Sequence, residues 1–583
     1  MTRFAVWAPS AQKVEVQVEG ERIPLEPGKR GWWSADVPEA SAGSDYSFRL
    51  DEGEPLPDPR SPWQPHGVHG PSRVLDHGAF RWTDDSWQSG PLASAIIYEL
   101  HVGTFTPEGT FEAIISKLDY LRELGITHIE LLPVNEFAGA RGWGYDGVDI
   151  YAPHHAYGGP QGLKRLVDVC HAKGLGVILD VVYNHFGPEG AYLSRFGPYF
   201  TERYSTPWGA GVNMDGPGSV EVRRFVVDNA LMWLRDYHID GLRLDGADVV
   251  IDQSAVYILE QLASEVQQLQ VVTGRHHFII AEPYHNNVRL IWPRQSGGFG
   301  IDAMWDDDAH HAIHTILTGE SQGYYQDYGR LADLARAMHN GLIYDGRYST
   351  YHDQHRGRPV TNVLGHQFVA FLQNHDQIGN RPQGQRIGHL VSLQRQRIGA
   401  ALVFFAPFVP MLFQGEEWGA SSPFHFFTDY HDPELPDAVR EGRRKELLKF
   451  GWQVDDLPDP QAERTFEESR IDWNEREREP HASLLGWYRQ LIRLRRRFAS
   501  LANGRMQEIQ TRFDEQHQWF VAQRGDLTLA FNLSPERQIV PLDTERPARV
   551  LLASDDSVQI HPAAIELPPD SIAILEYGRG NRV

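Results

Sequence analysis

The chain has 583 residues, of which 41% are hydrophobic, and a formal net charge of −23; these values predict a globular protein with several domains. The acidic balance argues against nucleic acid or an anionic membrane as a partner, because both attract basic surfaces. Cys170 is the single cysteine, so no disulfide can form within the chain, and no signal-type or membrane-length apolar run is seen. We therefore expect a soluble, cytoplasmic monomer.

The N-terminal part of the sequence alternates between apolar and polar residues in short runs. Residues 4–7 and 14–18 are examples, and Pro, Gly and Ser separate such runs up to about residue 75. This pattern is typical of a small antiparallel β-sandwich. The proline-rich residues 55–62 then predict a stiff linker. We assign residues 1–90 to this sandwich and its linker.

From about residue 94, apolar strand-like runs alternate with longer helical runs, which favours a parallel sheet covered on both faces. Eight such units predict a (β/α)8 TIM barrel over residues 91–502. Alternation returns near residue 505 and predicts a C-terminal all-β domain over residues 503–583. The expected barrel strands are 94–102, 127–134, 176–183, 241–250, 277–283, 303–305, 367–372 and 409–414. The expected helices are 110–125, 161–174, 220–237, 255–269, 331–339, 390–405 and 484–501.

One of these strands carries an arginine and a carboxylate two residues apart. With a period of two, Leu242 and Leu244 point one way while Arg243 and Asp245 lie side by side on the other face. Two charges buried together must pair. Such a pair is compatible with a functional site and equally with a structural ion pair.

Polar residues that follow other strands decide between these readings, because residues past the carboxyl ends of barrel strands collect at one mouth. Glu282 emerges from an apolar strand, so its pKa should be raised and it could act as a general acid. Asp245, beside Arg243, should stay ionised and be able to attack. One protonated and one ionised carboxyl, about 5–5.5 Å apart, are typical of a retaining glycosidase. The remaining strand-end residues are Asp180, Asn184, His185, Asn374, His375 and Asp376.

Simpler interpretations of these residues exist. An Asn-His pair often forms a polar turn, and residues 373–376 could cap a loop. The histidines and Asp180 lack the close helical spacing of a metal site, so a sugar site is favoured over a metal site. We expect neither a metal nor a required cofactor.

Four stretches, 180–185, 241–245, 281–282 and 373–376, resemble the four signature regions of the α-amylase family. The resemblance implies that Asp245 is the nucleophile, Glu282 the acid/base and Asp376 the transition-state stabiliser. It also implies that Arg243, His185 and His375 surround the sugar at the cleavage point, where Tyr145, within 142–147, would stack.

Further stretches resemble the branch of this family that releases trehalose from the end of maltooligosyl trehalose; they are 57–59, 67–72, 98–106, 184–188, 305–311 and 414–419. The implied activity is hydrolysis of the α-1,4-glucosidic bond next to the terminal trehalose, with maltooligosyl trehalose and related α-glucans as partners. Asp248 stands where this branch has a histidine, and residues 283–285 also depart from the pattern of the branch. Specificity for the sugars on the far side of the cleaved bond should therefore differ. The implied substrate-binding residues are Tyr145, Asp146, His185, Arg243, Leu244, Gly246, Ala247, Asp248, Trp305, Asp306, Asp307, Asp308, Asn374, His375 and Gln377.

Two other functions fit the same domain order. A glycogen branching enzyme would transfer chains from α-1,4 to α-1,6 positions. A non-catalytic carbohydrate-binding protein would use an amylase-like barrel without chemistry, but such proteins lose the carboxylates, and this chain keeps all three.

Overall fold

The computed structural model describes residues 1–206, 208–542 and 548–577. The N-terminal domain is built from two antiparallel sheets, with strand orders β1-β5-β4 and β3-β2-β6-β7, and β8 pairs with β6. In β2 the valines are buried and the polar residues between them are partly exposed, as the alternation predicts. The strands are β1 (Thr2–Trp7), β2 (Val14–Val18), β3 (Glu21–Pro24), β4 (Glu26–Pro27), β5 (Trp32–Val37), β6 (Asp45–Leu50), β7 (Pro55–Leu56) and β8 (Ser72–Arg73).

The proline-rich segment is packed, contrary to the prediction of a linker. Leu56 pairs with Phe48 in the sheet, and the buried Asp58 accepts a hydrogen bond of 2.8 Å from the Tyr46 hydroxyl. Arg60 forms an ion pair of 3.0 Å with Asp228 of the barrel domain. The polar groups between the prolines therefore fix the segment to both neighbouring domains.

Eight parallel strands close into a barrel in the order β9-β10-β13-β16-β17-β18-β21-β22, so the predicted fold class is confirmed. Three antiparallel pairs, β11-β12, β14-β15 and β19-β20, lie in the connections. Strands of this region are β9 (Ile97–Leu100), β10 (His128–Leu131), β11 (Asn135–Glu136), β12 (Asp149–Pro153), β13 (Gly176–Val181), β14 (Phe200–Thr206), β15 (Gly209–Val212), β16 (Gly241–Leu244), β17 (Phe278–Ala281), β18 (Ala303–Trp305), β19 (Asp345–Ser349), β20 (Gln354–Gly357), β21 (Phe368–Phe371) and β22 (Val409–Phe413).

Two of the elements that differ from their predicted bounds do so for identifiable local reasons. The predicted helix 110–125 is two helices, and the Ser116 side chain donates to the Ala113 carbonyl at the break, a bond that competes with helical pairing. The predicted strand 241–250 ends at Leu244, because Gly246 takes a left-handed conformation with φ +45°. Residues 245–248 therefore turn across the mouth of the barrel.

Helices surround the barrel, and most of the longer ones lie between its strands in the chain. Across the part of the chain that the structure describes, no helix is long and apolar enough to cross a membrane. The helices are α1 (Val102–Phe105), α2 (Phe111–Ile115), α3 (Leu118–Leu124), α4 (Gly159–Ala172), α5 (Leu193–Phe196), α6 (Ser219–Asp236), α7 (Ile258–Thr273), α8 (Asp307–Thr318), α9 (Leu331–Asn340), α10 (His375–Gly379), α11 (Ile387–Leu390), α12 (Leu393–Phe405), α13 (Leu435–Lys449), α14 (Glu463–Glu468), α15 (His481–Arg497) and α16 (Ala499–Ala502).

The C-terminal domain is all-β. Its sheets have the strand orders β23-β24-β25-β30-β27 and β26-β29-β28. Residues 543–547 and 578–583 of the predicted domain lie outside the described residues. The strands are β23 (Gln510–Asp514), β24 (Trp519–Arg524), β25 (Leu527–Asn532), β26 (Gln538–Pro541), β27 (Ala548–Ala553), β28 (Gln559–His561), β29 (Ala564–Leu567) and β30 (Ser571–Tyr577).

Candidate active site

The main chain holds two carboxylates at adjacent strand ends. Asp245 follows β16, and its N–H donates to the Val181 carbonyl at 3.1 Å; Glu282 follows β17, and its N–H donates to the Leu244 carbonyl at 3.0 Å. These bonds extend the parallel ladder by one residue beyond each strand. Both side chains consequently start from rigid backbone at the mouth of the barrel.

Arg243 is fully buried and lies among three carboxylates. Its Nη1 atom donates to both Asp180 oxygens at 2.8 and 2.9 Å and to Asp245 Oδ1 at 3.0 Å. Its Nη2 atom lies 3.0 Å from Glu282 Oε2, and the guanidinium is 4.1 Å from the ring centroid of Trp305. A single positive charge thus faces three acidic groups, which favours protonation of one of them.

Asp245 has a partner at each oxygen. Arg243 binds Oδ1, and the side-chain amide of Asn184 donates to Oδ2 at 3.0 Å. These bonds orient the carboxylate, and its side chain keeps 14% of its exposure. The geometry suits a carboxylate that must meet a substrate in a fixed orientation.

Glu282 is an acidic group whose environment favours the protonated form. Burial raises its pKa well above the ordinary value; Arg243 lowers it, and the negative charges of Asp245 and Asp376 raise it further. The Gly246 N–H donates to Oε2 at 2.8 Å. Since desolvation and two like charges outweigh one cation, Glu282 can carry a proton at a pH where an exposed glutamate has lost it.

The third carboxylate, Asp376, lies in α10 and is the most open of the three, with 37% of its side chain exposed. The neighbouring His375 is buried and bonds to Glu99 through its main-chain N–H and its Nδ1 atom. Burial lowers the pKa of His375, but Glu99 and Asp376 raise it above its usual value. The Tyr145 ring is stacked on the His375 ring, with centroids 5.1 Å apart.

His185 lies at another side of the same mouth. Its Nδ1 atom is 2.7 Å from Asn184 Oδ1, and its Nε2 atom is 3.0 Å from the Tyr145 carbonyl. The Trp208 indole is stacked on it at 4.6 Å between centroids and is 51% exposed. An open aromatic face beside a polar ring is a suitable platform for a sugar.

Two residues that the sequence left out of the predicted site are in direct contact with it: Glu99 and Trp208. Asp180, which its position at a strand end had placed at the mouth, bonds to Arg243. Glu99 lies in β9, 276 residues from His375, and only the closed barrel brings them together. Trp208 follows β14 in a long connection whose path has no signature in the sequence.

Several predicted substrate-binding residues are buried in supporting positions. Leu244 and Ala247 belong to the main hydrophobic core, and Trp305 lies inside the barrel beneath Arg243. Asp306 caps the N-terminus of α8, while Asn374 caps α10. Their side chains hold the walls of the site and do not face its opening.

Asp308 is also a supporting residue. Its two oxygens accept from the Tyr328 hydroxyl at 2.6 Å, the Asn286 amide at 2.8 Å and the main-chain N–H groups of residues 343 and 344. The carboxylate therefore ties three loops at the rim together.

Asp307 and Gln377 face each other across the mouth, and the Gln377 amide donates to Asp307 Oδ1 at 3.2 Å. Burial, together with the charge of Asp376, raises the pKa of Asp307 to about 7. Asp146 is hydrogen-bonded to Tyr430, and burial raises its pKa. These residues retain polar atoms at the edge of the carboxylate cluster.

Asp248 contacts the loop that follows Glu282. Its oxygens accept from the N–H groups of Tyr284 at 2.6 Å and His285 at 3.0 Å. The two rings on this loop are open to solvent, with Tyr284 56% exposed. Asp248 and residues 283–285, the two places where we expect the sequence to depart from the family pattern, are thus in direct contact.

Family models match all three domains. The α-amylase catalytic domain matches residues 78–205, carbohydrate-binding module 48, the isoamylase N-terminal domain, matches residues 1–64, and a domain of unknown function matches residues 505–574. A crystal structure of a putative α-amylase from Salmonella typhimurium superimposes with a TM-score of 0.90 and is 38% identical, covering 98% of this chain and 97% of that one.

Full-length relatives distinguish between the possible branches. A malto-oligosyltrehalose trehalohydrolase from Rhizobium sp. (strain M-11) is 46% identical, covering 98% of this chain and 97% of its own. A 1,4-α-glucan branching enzyme from Pseudoalteromonas atlantica is 34% identical and covers only 56% of this chain and 51% of its own. The chain belongs to the malto-oligosyltrehalose trehalohydrolase family.

Proposed function

We propose that the protein is a retaining glycoside hydrolase that cleaves the α-1,4-glucosidic bond next to the terminal trehalose of maltooligosyl trehalose. The products are trehalose and a maltooligosaccharide. The observation that carries the proposal is the shared contact of Arg243 with Asp245 and Glu282. This contact brings together the two carboxyl groups, of which a double-displacement mechanism needs one ionised and the other protonated.

In the first step, the Asp245 carboxylate attacks the anomeric carbon and forms a glycosyl ester. Glu282 gives its proton to the glycosidic oxygen as the carbon–oxygen bond breaks, so trehalose leaves as a neutral alcohol. Arg243 and Asn184 keep the attacking oxygens oriented.

In the second step, the roles of the carboxyl groups are exchanged. Glu282, now ionised, takes a proton from a water molecule. The water oxygen attacks the anomeric carbon, and the ester bond to Asp245 breaks. The maltooligosaccharide leaves with its configuration retained, and Glu282 is again protonated.

The other polar groups bind the sugar at the point of cleavage. Asp376 lies open beside the two carboxyl groups and would stabilise positive charge and bind sugar hydroxyls. The stacked Tyr145 and His375 form one wall, and His185 with Trp208 forms another. These rigid walls favour a distorted, oxocarbenium-like ring.

The function is tested with two substrates. The purified chain should release trehalose from maltopentaosyl trehalose and leave amylose without new branches. Trehalose measured by chromatography, with α-1,6 linkages counted by NMR, separates the two activities. New α-1,6 branches without trehalose would assign the chain to the branching enzymes instead.

We also propose that the protein is a cytoplasmic monomer. The mouth of the barrel is completed by residues of one chain, and the single thiol, Cys170, is buried. Light scattering coupled to size-exclusion chromatography should give the mass of one chain, 66.2 kDa, and fractionation of the source cells should place the activity with the cytoplasmic enzymes.

A further inference from the structure

A cluster of one carboxylate and two imidazoles lies outside the proposed reaction centre. Glu136 ends the short strand β11, and His154 and His155 directly follow β12, the strand paired with it. One ligand-type atom from each residue lies within 4.8 Å of the others. Imidazole nitrogen and carboxylate oxygen are the usual donors of zinc-class divalent cations.

Glu136 is fully buried, and its two oxygens have different surroundings. Oε2 accepts from the His155 N–H at 2.8 Å, which fixes the carboxylate plane. Oε1 lies 2.6 Å from His155 Nδ1 and 3.1 Å from His154 Nδ1. One oxygen is therefore directed at both imidazoles.

His154 is the observation that distinguishes this cluster from an ordinary ion pair. A protonated His155 would satisfy Glu136, and Glu136 does raise the pKa of His155. His154, however, is completely buried; its Nδ1 atom faces Glu136 Oε1 at 3.1 Å without hydrogen-bond geometry, and its Nε2 atom has no hydrogen-bond partner. A buried imidazole that forms no hydrogen bond costs free energy, and a cation bound between Nδ1 and Glu136 would reduce that cost.

The orientation of His154 is set by its neighbours. The Phe137 ring lies against it at 3.9 Å between centroids, and the Tyr157 ring meets it edge-on at 4.9 Å. The His154 N–H also donates to the Val134 carbonyl at 2.7 Å. The imidazole is thus held in place before any ligand binds, as in preorganised metal sites.

A second carboxyl group lies next to the cluster. Asp149, the cross-strand partner of Glu136, is buried, and one of its oxygens has no hydrogen-bond partner. A further buried acceptor oxygen is therefore present on the strand that pairs with that of Glu136.

We propose that Glu136, His154 and His155 form a binding site for a zinc-class divalent cation. Tyr145 and Asp146 lie in the connection between β11 and β12, so the cation would fasten the base of the hairpin that carries the stacking tyrosine. The partly exposed His155 provides the side from which the ion enters. This inference does not depend on the proposed reaction, because its test measures bound metal.

The test is equilibrium dialysis of the full chain against Zn²⁺, followed by elemental analysis. We expect one tightly held zinc per chain and a rise in melting temperature. His154→Gln and Glu136→Gln should each weaken binding at least tenfold. His277→Gln is the matched control, because His277 is also buried with both ring nitrogens unpartnered but lies outside the cluster; it should bind zinc as the original chain does.

Cobalt provides a readout on the unmodified chain, in case the variants of buried residues do not fold. Co²⁺ bound by two imidazoles and one carboxylate should give visible absorption bands that disappear on addition of Zn²⁺, and His155→Gln, a change at a partly exposed position, should weaken them. Zinc uptake that is equal in the original chain and in the cluster variants, or absent from all of them, would overturn the proposal.

Discussion

Asp248 accepts a hydrogen bond of 2.6 Å from the main-chain N–H of Tyr284, and this contact joins the turn after Asp245 to the loop after Glu282. Arg356 binds the same loop from the other side through the Tyr284 carbonyl. Since Tyr284 is exposed next to Glu282 in the chain, we infer that the contact shapes the side of the groove that receives the leaving sugar.

Replacing Asp248 by alanine should change specificity more than turnover. The loop loses two acceptors, about 1 kcal/mol each, and we expect kcat/KM on maltopentaosyl trehalose to fall about tenfold, mainly through KM. Asp437→Ala, at a surface carboxylate, is the control. An equal loss on maltohexaose and maltopentaosyl trehalose would indicate a general structural defect and contradict a role in specificity.

Asp245→Asn should abolish turnover while preserving the fold. The amide cannot form a glycosyl ester, so kcat should fall by at least about 10⁴-fold, as for the loss of other nucleophiles. Calorimetry should still detect binding of maltopentaosyl trehalose, and the melting temperature should stay within a few degrees. Near-normal activity in this variant would refute the assignment of the nucleophile.

The pH profile should report the proton on Glu282. Its pKa is raised by burial and by the charges of Asp245 and Asp376, so Glu282 remains protonated above the usual range for a glutamate. Activity should therefore decrease on the alkaline side as Glu282 loses its proton.

Glu282→Gln tests whether Glu282 causes the decrease in activity on the alkaline side. With a substrate whose leaving group needs no proton, such as a maltosyl fluoride, the variant should lose the alkaline decrease and accumulate a glycosyl ester on Asp245 that peptide mass spectrometry can locate. On maltopentaosyl trehalose its rate should fall about 10²- to 10⁴-fold. An unchanged alkaline limb in the variant would assign that limb to another group.

The sequence predicted those parts of the site that depend on one strand and its end. Arg243, Asp245 and Glu282 follow from the barrel rule alone, because parallel strands end at a common mouth. Contacts that depend on the closure of the barrel or on long connections, such as Glu99 with His375, could not be predicted. The sequence also did not reveal that Asp306 and Asp308 would be used by the main chain, since a capping aspartate and a sugar-binding aspartate look alike in a sequence.

Stability should depend on an ionic cluster at the opposite, N-terminal end of the barrel. The buried His171 bonds to Asp84 at 2.7 Å and to Asp240 at 3.0 Å. Burial lowers its pKa, but Asp240 and Asp84 together raise it above 6.5. Conversely, burial raises the pKa of Asp84, but bonds from His171, His238 and Arg275 lower it below 3.8.

His171→Gln should destabilise the protein by about 3 kcal/mol, because it removes the cation that the buried carboxylates of Asp84 and Asp240 share. A raised histidine pKa stabilises the fold fully below the unfolded value and loses this effect as pH rises through the folded value. The difference in melting temperature should thus be largest near pH 6 and shrink at higher pH. His339→Gln, at a half-buried histidine bonded to a threonine, should show no such trend.

The Asp84 carboxylate should have the opposite pH dependence. Its lowered pKa contributes stability that is complete above the unfolded value and is lost as pH falls through the folded value. Asp84→Asn should therefore lower the melting temperature at neutral pH and converge with the original chain in strong acid. A constant difference across this range would exclude ionisation of Asp84 as the source.

Trp208 tests whether the exposed wall of the site binds sugar. The indole is stacked on His185 with an interplanar angle of 9°. The exposed face of the indole is a flat apolar surface on which a sugar ring can stack. Trp208→Ala should reduce the binding free energy by about 0.5–1.5 kcal/mol, which corresponds to a rise in KM of roughly three- to tenfold. The value of kcat should change little, because the indole touches none of the three carboxylates. Trp208→Tyr should recover most of the affinity, since an aromatic face is restored. If Trp208→Ala bound maltopentaosyl trehalose as tightly as the original chain, Trp208 would only support His185 and would not bind the sugar.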